Sequence, residues 1–443
     1  MLPNGWTQAQ VAELVGPSGL VSDGDWVESK DQDAQGTVRL TQLADIGIGE
    51  FRDRSARFMT SEAAERLKCT YLRAGDVLIA RMPDPIGRAC VFPGLDQPAV
   101  TAVDVMIWRT DGSLASADWF VKWINSPGIR TLMLAGAGGT TRQRISGGRI
   151  KELRLPLPPL AEQARIVAKL DALAVRLTRA RADLARVQAL AIQLRSTALT
   201  HAFENASSRQ ATVSSIVSDV RYGTAKKCGY GLGRTSVLRI PNVSAGNIDL
   251  SDLKSADFDE REISKLAVLP GDVLVIRSNG SVSLVGRSAV VQETARGMLY
   301  AGYLIRLRLK TELCLPEYLH LFMQSRLARQ AIEVAARSTS GVHNINAEQL
   351  RSLTLPLPDI DVQKTIVTQV HAAFARADRL EADATRAKSL LDRLEVGVIS
   401  RAFRGELVPQ DPADEHADIL LDRVRTKRAA MPKSKRGVIA INN

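Results

Sequence analysis

The sequence predicts an α+β protein. Two mixed α/β domains are each followed by a long helix, and the two helices pair as an antiparallel coiled coil with pseudo-two-fold symmetry. Three observations lead there. Leu155-Pro156-Leu157-Pro158 recurs 200 residues later as Leu355-Pro356-Leu357-Pro358. Each copy leads into a stretch of strong helix formers whose apolar residues recur in alternate steps of four and three. Upstream of each, a Gly-Asp pair precedes a β-prone run: Gly75-Asp76-Val77-Leu78-Ile79 and Gly271-Asp272-Val273-Leu274-Val275. With 443 residues the chain is too long for one ordinary domain and has room for about three.

Taken in order, residues 1–154 form the first domain. Val77-Leu78-Ile79-Ala80 reads as a strand, and a helix starting near Ser116 carries Trp119, Phe120, Trp123 and Ile124. Aromatics at helical spacing mark core packing rather than base stacking. Residues 155–204 hold the first long helix, with seam positions Ile166, Leu170, Leu173, Leu177, Ala180, Leu184, Val187, Ala191, Leu194 and Ala198. Residues 205–354 repeat the domain, with a strand at Val273-Leu274-Val275-Ile276 and a helix from Pro316 carrying Tyr318, Leu319, Leu321 and Phe322. Residues 355–405 repeat the helix, with its seam at Ile366, Val370, Ala373, Ala377, Leu380, Ala384, Ala387, Leu391, Leu394 and Val398.

Pro159 and Asp359 read as N1-like and N-cap-like residues, and Asn205 and Gly405 suit the exits. From the proline motif to Ala202-Phe203 and Ala402-Phe403, 17 of 49 positions are identical. A parallel pair would set Leu173, Leu177 and Leu184 against Ala373, Ala377 and Ala384. An antiparallel pair separates the two domains and is the expected orientation. Residues 406–443 form a tail in which Ala417, Leu420, Leu421 and Val424 share one helical face, so it packs back onto the bundle or onto a partner. Its stretch Arg423–Arg436 has seven Lys/Arg in 14 residues and reads as a mobile source of non-specific attraction.

The formal net charge is +11, and 44 of the 59 basic residues are arginine. Such a balance attracts a polyanion, and the guanidinium fork suits phosphates and guanine edges. Codon bias in a GC-rich gene gives the same excess, so charge alone leaves both explanations open. No apolar run approaches the ~18 residues of a membrane span, and the opening residues lack a signal-peptide pattern. The four cysteines lie far apart with no Cys-x-x-Cys. A reduced cytoplasmic protein is expected. Phosphate-loop and His-Glu-x-x-His motifs are absent, and the five histidines form no ligand cluster. The one Pro-Pro, Pro158-Pro159, lacks the flanks of an adenine-methylating motif. Pro83-Asp84-Pro85 has no Asp/Glu-x-Lys after it and reads as a turn. A non-catalytic, metal-free binding protein is expected.

These residues also carry a resemblance. The duplicated layout, the Leu-Pro-Leu-Pro-x-x-x-x-Gln-x-x-Ile-Val lead into each helix and the Ala-Phe endings resemble the specificity subunit of type I restriction-modification systems. So do Gly139-Thr140-Thr141-Arg142-Gln143-Arg144-Ile145-Ser146, Tyr222-Gly223-Thr224-Ala225-Lys226-Lys227 and the tail Val408-Pro409-Gln410-Asp411-Pro412. The resemblance covers essentially the whole chain. It implies two target recognition domains, each reading one half of a split double-stranded DNA sequence. It also implies a helical spacer that docks two modification subunits, which bind S-adenosylmethionine and methylate adenine; this chain binds no cofactor. Restriction (motor-nuclease) subunits can join that core. The competing readings are a coiled-coil scaffold without a DNA role, or a specificity subunit of a methylation-only or other defence complex. The second copy departs from the pattern at Ser338–Ile345, which lacks the two arginines.

The expected DNA-binding residues are Thr140, Thr141, Arg142, Gln143 and Arg144 before the first helix, and His343 and Asn344 before the second. Tyr222, Thr224, Lys226 and Lys227 form a Gly-Thr turn with lysines suited to phosphate. Arg81, Arg88, Arg277 and Arg287 follow the Gly-Asp strands, where ion pairing competes with a DNA role. Gln163, Gln363, Phe203 and Phe403 are the expected subunit-interface residues, with support of the proline turn as the competing role for the glutamines. A 44-residue helix rises about 66 Å, so helix length would act as a ruler between unlike half-sites about one duplex turn apart.

Overall fold

The Gly-Asp turns head equivalent sheets. The computed structural model describes residues 2–139, 143–204, 209–336 and 342–430, and the chain divides into two compact units. Unit 1 comprises Met1–Ala182 and Lys388–Asn443, and unit 2 comprises Asp183–Ala387. In unit 1, strands β1 (Leu20–Asp23), β2 (Val77–Ala80), β3 (Ala89–Val91) and β4 (Val105–Arg109) make an antiparallel sheet in the order β1-β4-β2-β3. Gly75 adopts φ +90°, a conformation that favours glycine. The buried Asp76 beside it grips Arg109 of β4 through two hydrogen bonds of 2.6 and 2.7 Å. The bidentate geometry offsets the desolvation of both charges.

Helix α1 (Ala117–Ile124) starts where expected, with Ser116 Oγ accepting from Trp119 N at 3.2 Å. Trp119, Phe120 and Trp123 are buried, and Phe120 stacks on Trp108 at 4.1 Å between centroids. The proline motif forms a short strand, Arg154–Leu157, antiparallel to Thr7–Gln10. It sends Leu155 and Leu157 into the core, and its two-stranded sheet tolerates prolines because it has free edges. Helix α2 (Leu160–Glu204) follows. The Pro159 carbonyl accepts from Gln163 N, so Pro159 is the N-cap, one place earlier than expected.

Unit 2 repeats the plan. Strands β5 (Val217–Tyr222), β6 (Val273–Ile276), β7 (Ser288–Val290) and β8 (Leu304–Leu309) take the order β5-β8-β6-β7. Asp272 holds Arg308 at 2.8 and 2.7 Å. Helix α3 (Pro316–Gln324) buries Tyr318, Leu319, Leu321 and Phe322. Strand Thr354–Pro356 pairs with Gln210–Thr212 and leads into helix α4 (Ile360–Ala402), capped by the Asp359 carbonyl.

The long helices run antiparallel within each unit. In unit 1, Arg181 of α2 reaches Asp392 and Glu395 of α4 at 2.7 and 2.6 Å. Phe403, just beyond the end of α4, meets Trp119 in the core that also holds Ile166 and Leu170 near the start of α2. In unit 2, Arg195 reaches Glu381 at 2.7 Å, while Phe203 near the end of α2 shares a core with Ile366 and Val370 near the start of α4. All ten expected seam positions of α2 are sheltered. In α4, Leu380 and Leu394 are instead exposed, at 39% and 55%. Beyond Leu391 the sheltered face moves to Glu395, Val398 and Ala402, because a 3.6-residue helix drifts from a 3.5-residue repeat.

The tail corrects one expectation. Helix α5 (Ala417–Ala430) lays Ala417, Leu421 and Val424 into the unit 1 core, with Leu420 packed against it. Its three arginines are engaged: Arg425 pairs with Glu13 at 2.8 Å, Arg428 donates to the Ala12 carbonyl, and Arg423 pairs with Glu415. Residues 431–436 of the basic run lie outside the described residues.

Candidate nucleic-acid interface

In each unit the first strand, the residue after the second strand, the turn before the last strand and the segment before the proline motif converge. Backbone hydrogen bonds fix the correspondence. Arg81 N donates to Asp104 O as Arg277 N does to Tyr303 O, and Ile145 N donates to Arg81 O as Ile345 N does to Arg277 O. Asp23 lies opposite Met106 as Tyr222 lies opposite Ile305, with Gly24 and Gly223 next in each chain donating to Val105 O and Leu304 O. Four positions therefore match: Asp23 with Tyr222, Arg81 with Arg277, Asp104 with Tyr303, and Arg144 with Asn344.

Their chemistry differs. In unit 1 the quartet is charge-compensated, with Arg81 to Asp23 and Arg144 to Asp104 each at 3.0 Å. Burial lowers the Arg81 pKa, with the Asp23 and Asp104 carboxylates opposing and Arg144 adding to the shift. In unit 2 both acids are replaced by tyrosines. The Arg277 guanidinium lies 4.6 Å from the Tyr222 ring centre and donates to Asn344 Oδ1 at 3.3 Å. Tyr303 is 63% exposed. This surface offers a cation, stacking faces and an amide without a carboxylate among the four.

Several predicted residues come together here. Tyr222, Arg277, His343 and Asn344, scattered over more than a hundred residues, meet where Ser278–Asn279 pairs with His343–Asn344. His343 Nδ1 is buried without a hydrogen-bond partner. Thr224 Oγ1 accepts from Lys226 N at 3.0 Å and so shapes the predicted turn. The Lys226 ammonium donates to Asp257 O at 2.6 Å and lies 5.0 Å from the Phe258 ring centre, while Lys227 is exposed. Arg287 is exposed and donates to Ser283 O and Ser244 O. In unit 1, Gln143 is exposed beside the Gly138–Arg144 bridge. Thr140, Thr141 and Arg142 lie outside the described residues.

Other expectations are corrected. Arg88 is buried and donates to the carbonyls of Ile46, Met82, Pro85 and Leu43, which spends its fork inside the domain. Arg81 is 5% exposed and braces Ile145 O and Val103 O. Gln163 and Gln363 are wholly buried. Gln163 accepts from Ser116 N and donates to Leu114 O and Pro158 O, and Gln363 does the same with Leu315 N, Leu313 O and Pro358 O. Phe203 is buried and Phe403 half-buried, each in a core. None of these four presents a docking surface. Sequence reasoning missed Asp23, Asp104 and Tyr303, although Asp104 and Tyr303 stand immediately before Val105–Arg109 and Leu304–Leu309, the equivalent last strands of the two sheets.

Among the described residues no three His, Cys, Asp or Glu side chains gather as a metal site, and no helix is long and apolar enough to cross a membrane. Residues 46–184 match the family model of the type I restriction modification DNA specificity domain. The chain is 30% identical over 317 residues to the type I restriction enzyme EcoKI specificity subunit of Escherichia coli K12, covering 66% of this chain and 68% of that one. The chain belongs to the type I specificity subunits. As such it is a non-catalytic DNA-specificity component of a type I restriction-modification system. The StySPI specificity subunit of Salmonella potsdam is 25% identical over 334 residues, covering 71% and 72% of the two chains. The specificity-subunit fold recurs in the HsdS subunit of Thermoanaerobacter tengcongensis, with TM-score 0.65, 20% identity and 92% and 98% coverage. A chain from a type I system studied for complex assembly and conformational transition gives TM-score 0.70 at 19% identity, covering 92% and 100%.

Proposed function

We propose that this specificity subunit reads an asymmetric, two-part duplex sequence, with each unit reading one half through its convergent quartet. The observation that supports this reading is that four backbone positions are retained in both units while three of the four side chains differ, the arginine at Arg81 and Arg277 being common to both. In unit 2, Arg277, Tyr222, Tyr303 and Asn344 supply a guanidinium fork, aromatic faces and an amide. Arginine and asparagine are the side chains suited to guanine and adenine edges. In unit 1, Gln143, Arg144 and Asp104 supply an amide, a fork and an acceptor suited to a cytosine amino group. Thr140, Thr141 and Arg142 belong to the same reading segment. Lys226, Lys227 and Arg287 hold phosphates and set orientation. Arg81 and Arg88 support the surface from beneath. Two modification subunits, which bind S-adenosylmethionine and methylate adenine, are the proposed partners, and restriction subunits join that assembly.

The experiment is a selection from random duplexes with the assembled complex, repeated with Arg277→Ala and Arg144→Ala. The native complex is expected to enrich two short unlike motifs around a fixed gap. Each variant should relax one motif only, with discrimination at the affected bases falling roughly 5- to 150-fold. Both motifs unchanged in both variants would remove the quartets from base reading.

A further inference from the structure

The two units carry different charge where they are built alike. Residues 26–37 and 225–234 are equivalent loops, because their anchors match. Asp25 bridges Ala102 as Thr224 bridges Ala301, both in parallel. Val38–Thr41 pairs in parallel with Ala99–Thr101, as Thr235–Leu238 does with Leu299–Tyr300. Each loop follows the strand that supplies Asp23 or Tyr222 to the quartet. Each also raises an aromatic ring into solvent, Trp26 at 68% and Tyr230 at 67% exposure. Their charges are opposite. The first loop holds Glu28, Asp31 and Asp33 against Lys30, and the second holds Lys226, Lys227 and Arg234 with no acid.

The one ammonium of the first loop is already neutralised, since Lys30 pairs with Glu28 at 2.7 Å. Arg66, from outside the loop, holds the buried Asp31 at 2.6 Å, and Asp33 is exposed. In the second loop all three cations are exposed. Lys227 and Arg234 have no ion pair among the described residues. Each loop has one opposing neighbour: Arg57 donates to Gln32 Oε1 at 2.7 Å, and Glu262 stands 3.9 Å from Lys226. Those neighbours do not reverse the contrast, because the whole domains repeat it. Residues 1–154 carry 18 acidic and 18 basic side chains, and residues 205–354 carry 13 and 19. A GC-rich gene adds arginine to both copies alike, yet here the basic totals nearly agree and the difference lies in the acids. The quartets have the same sign, with Asp23 and Asp104 in unit 1 where unit 2 has tyrosines.

We infer that the duplex is held unequally. Lys226, Lys227 and Arg234 of unit 2 clamp the phosphate backbone and supply most of this chain's non-specific affinity, whereas the equivalent loop of unit 1 makes no backbone contact. The inference rests on the reading of both units as DNA readers and adds how the hold is divided between them. Phosphate attraction needs no matching sequence, while base contacts form only on a match. Unit 2 therefore retains the duplex while unit 1, whose carboxylates repel phosphates, engages or releases its half.

The test uses the assembled complex and a duplex lacking the target, with affinity measured by fluorescence anisotropy across a salt series. Lys226→Gln/Lys227→Gln/Arg234→Gln should make the log–log salt slope shallower by about 3 and lower affinity at physiological salt on the order of tenfold or more. Lys30→Gln/Arg57→Gln should leave the slope at its native value. The basic surfaces of partner subunits are common to both variants and cancel in the comparison. Thermal transitions should stay native, because every altered side chain is exposed. If the triple variant melts early, Lys227→Gln and Arg234→Gln serve singly, each with an expected change in slope of about 1. A native slope in the unit 2 variants would overturn the clamp, and a loss of slope in the unit 1 variant matching that in unit 2 would overturn the unequal division. Selection from random duplexes with the triple variant should return the native motifs, since phosphate contacts carry no sequence. Loss of one motif there would make the loop a base reader and overturn the phosphate assignment. A native complex that enriches no motif would overturn the reading of the units as readers, and the division with it.

Discussion

A carboxamide ties each long helix to its domain. Only Asn and Gln carry a donor pair and an acceptor on one neutral group, and the span from helix to loop needs the longer of the two. Gln163 and Gln363 meet the same three backbone groups in each copy, which explains their retention without a partner. His320 shows residue-scale chemistry of another kind. Its Nδ1 lies 3.0 Å from Ser288 Oγ and its Nε2 lies 2.8 Å from the Gln324 amide. Burial, with a smaller contribution from His371, depresses its pKa to about 4. The unfolded chain, near 6.5, therefore takes up the proton first as pH falls. The histidine's contribution to stability is complete above about pH 6.5 and is lost on acidification toward pH 4, by on the order of 2–3 kcal/mol. Thermal melts between pH 7 and pH 4.5 should show this loss in the native chain and a shallower slope in His320→Gln. Equal slopes would show that His320 does not carry the dependence.

At the scale of elements, the paired helices are distinguished by charge. The 200-residue shift carries Arg181 onto Glu381 and Arg195 onto Glu395. The pairs Arg181–Glu395 and Arg195–Glu381 are thus one repeated rung with its signs exchanged. Two copies of α2 in this register would set arginine against arginine, and two copies of α4 would set glutamate against glutamate. Exposed rungs contribute little individually, but like charges at such positions select partners. Arg181→Glu/Arg195→Glu should lower the thermal transition by a few degrees, more at low salt than at high salt. Adding Glu381→Arg/Glu395→Arg should restore it. A four-fold variant no more stable than the two-fold one would refute a charge-specified pairing.

For the whole molecule, the proposed reading predicts that two diverged readers joined by the long helices select an asymmetric target with a set gap. Each long helix contributes a segment to each unit, so turns added near the boundary change the ruler without entering either domain core. Inserting seven residues between Ala180 and Ala191, with a matching seven in the facing part of α4, keeps the seam in phase. It adds about 10 Å. The selected DNA motif should then gain about three base pairs of gap at 3.4 Å each, with both halves unchanged. An unchanged gap in a complex that still binds would show that helix length does not set the spacing.

The duplication, the long helices and the Gly-Asp strands were legible in the sequence because each is a local pattern. Period, composition and turn chemistry mark Leu160–Glu204, Ile360–Ala402, Val77–Ala80 and Val273–Ile276 without reference to the rest of the chain. The aromatic helices after Ser116 and Leu315 were legible for the same reason. What a side chain faces across a fold was not. Arg81, Arg88 and Arg277 follow similar strands, but carbonyls up to 64 residues away enclose the first two, while Tyr222 holds the third at the surface. Sheet register brought Asp23 and Asp104 to the positions of Tyr222 and Tyr303, and burial took Gln163 and Gln363 out of contact with solvent. Those outcomes depend on contacts distant in the chain, so periodicity determined the framework and tertiary packing decided which polar groups remain available to a ligand.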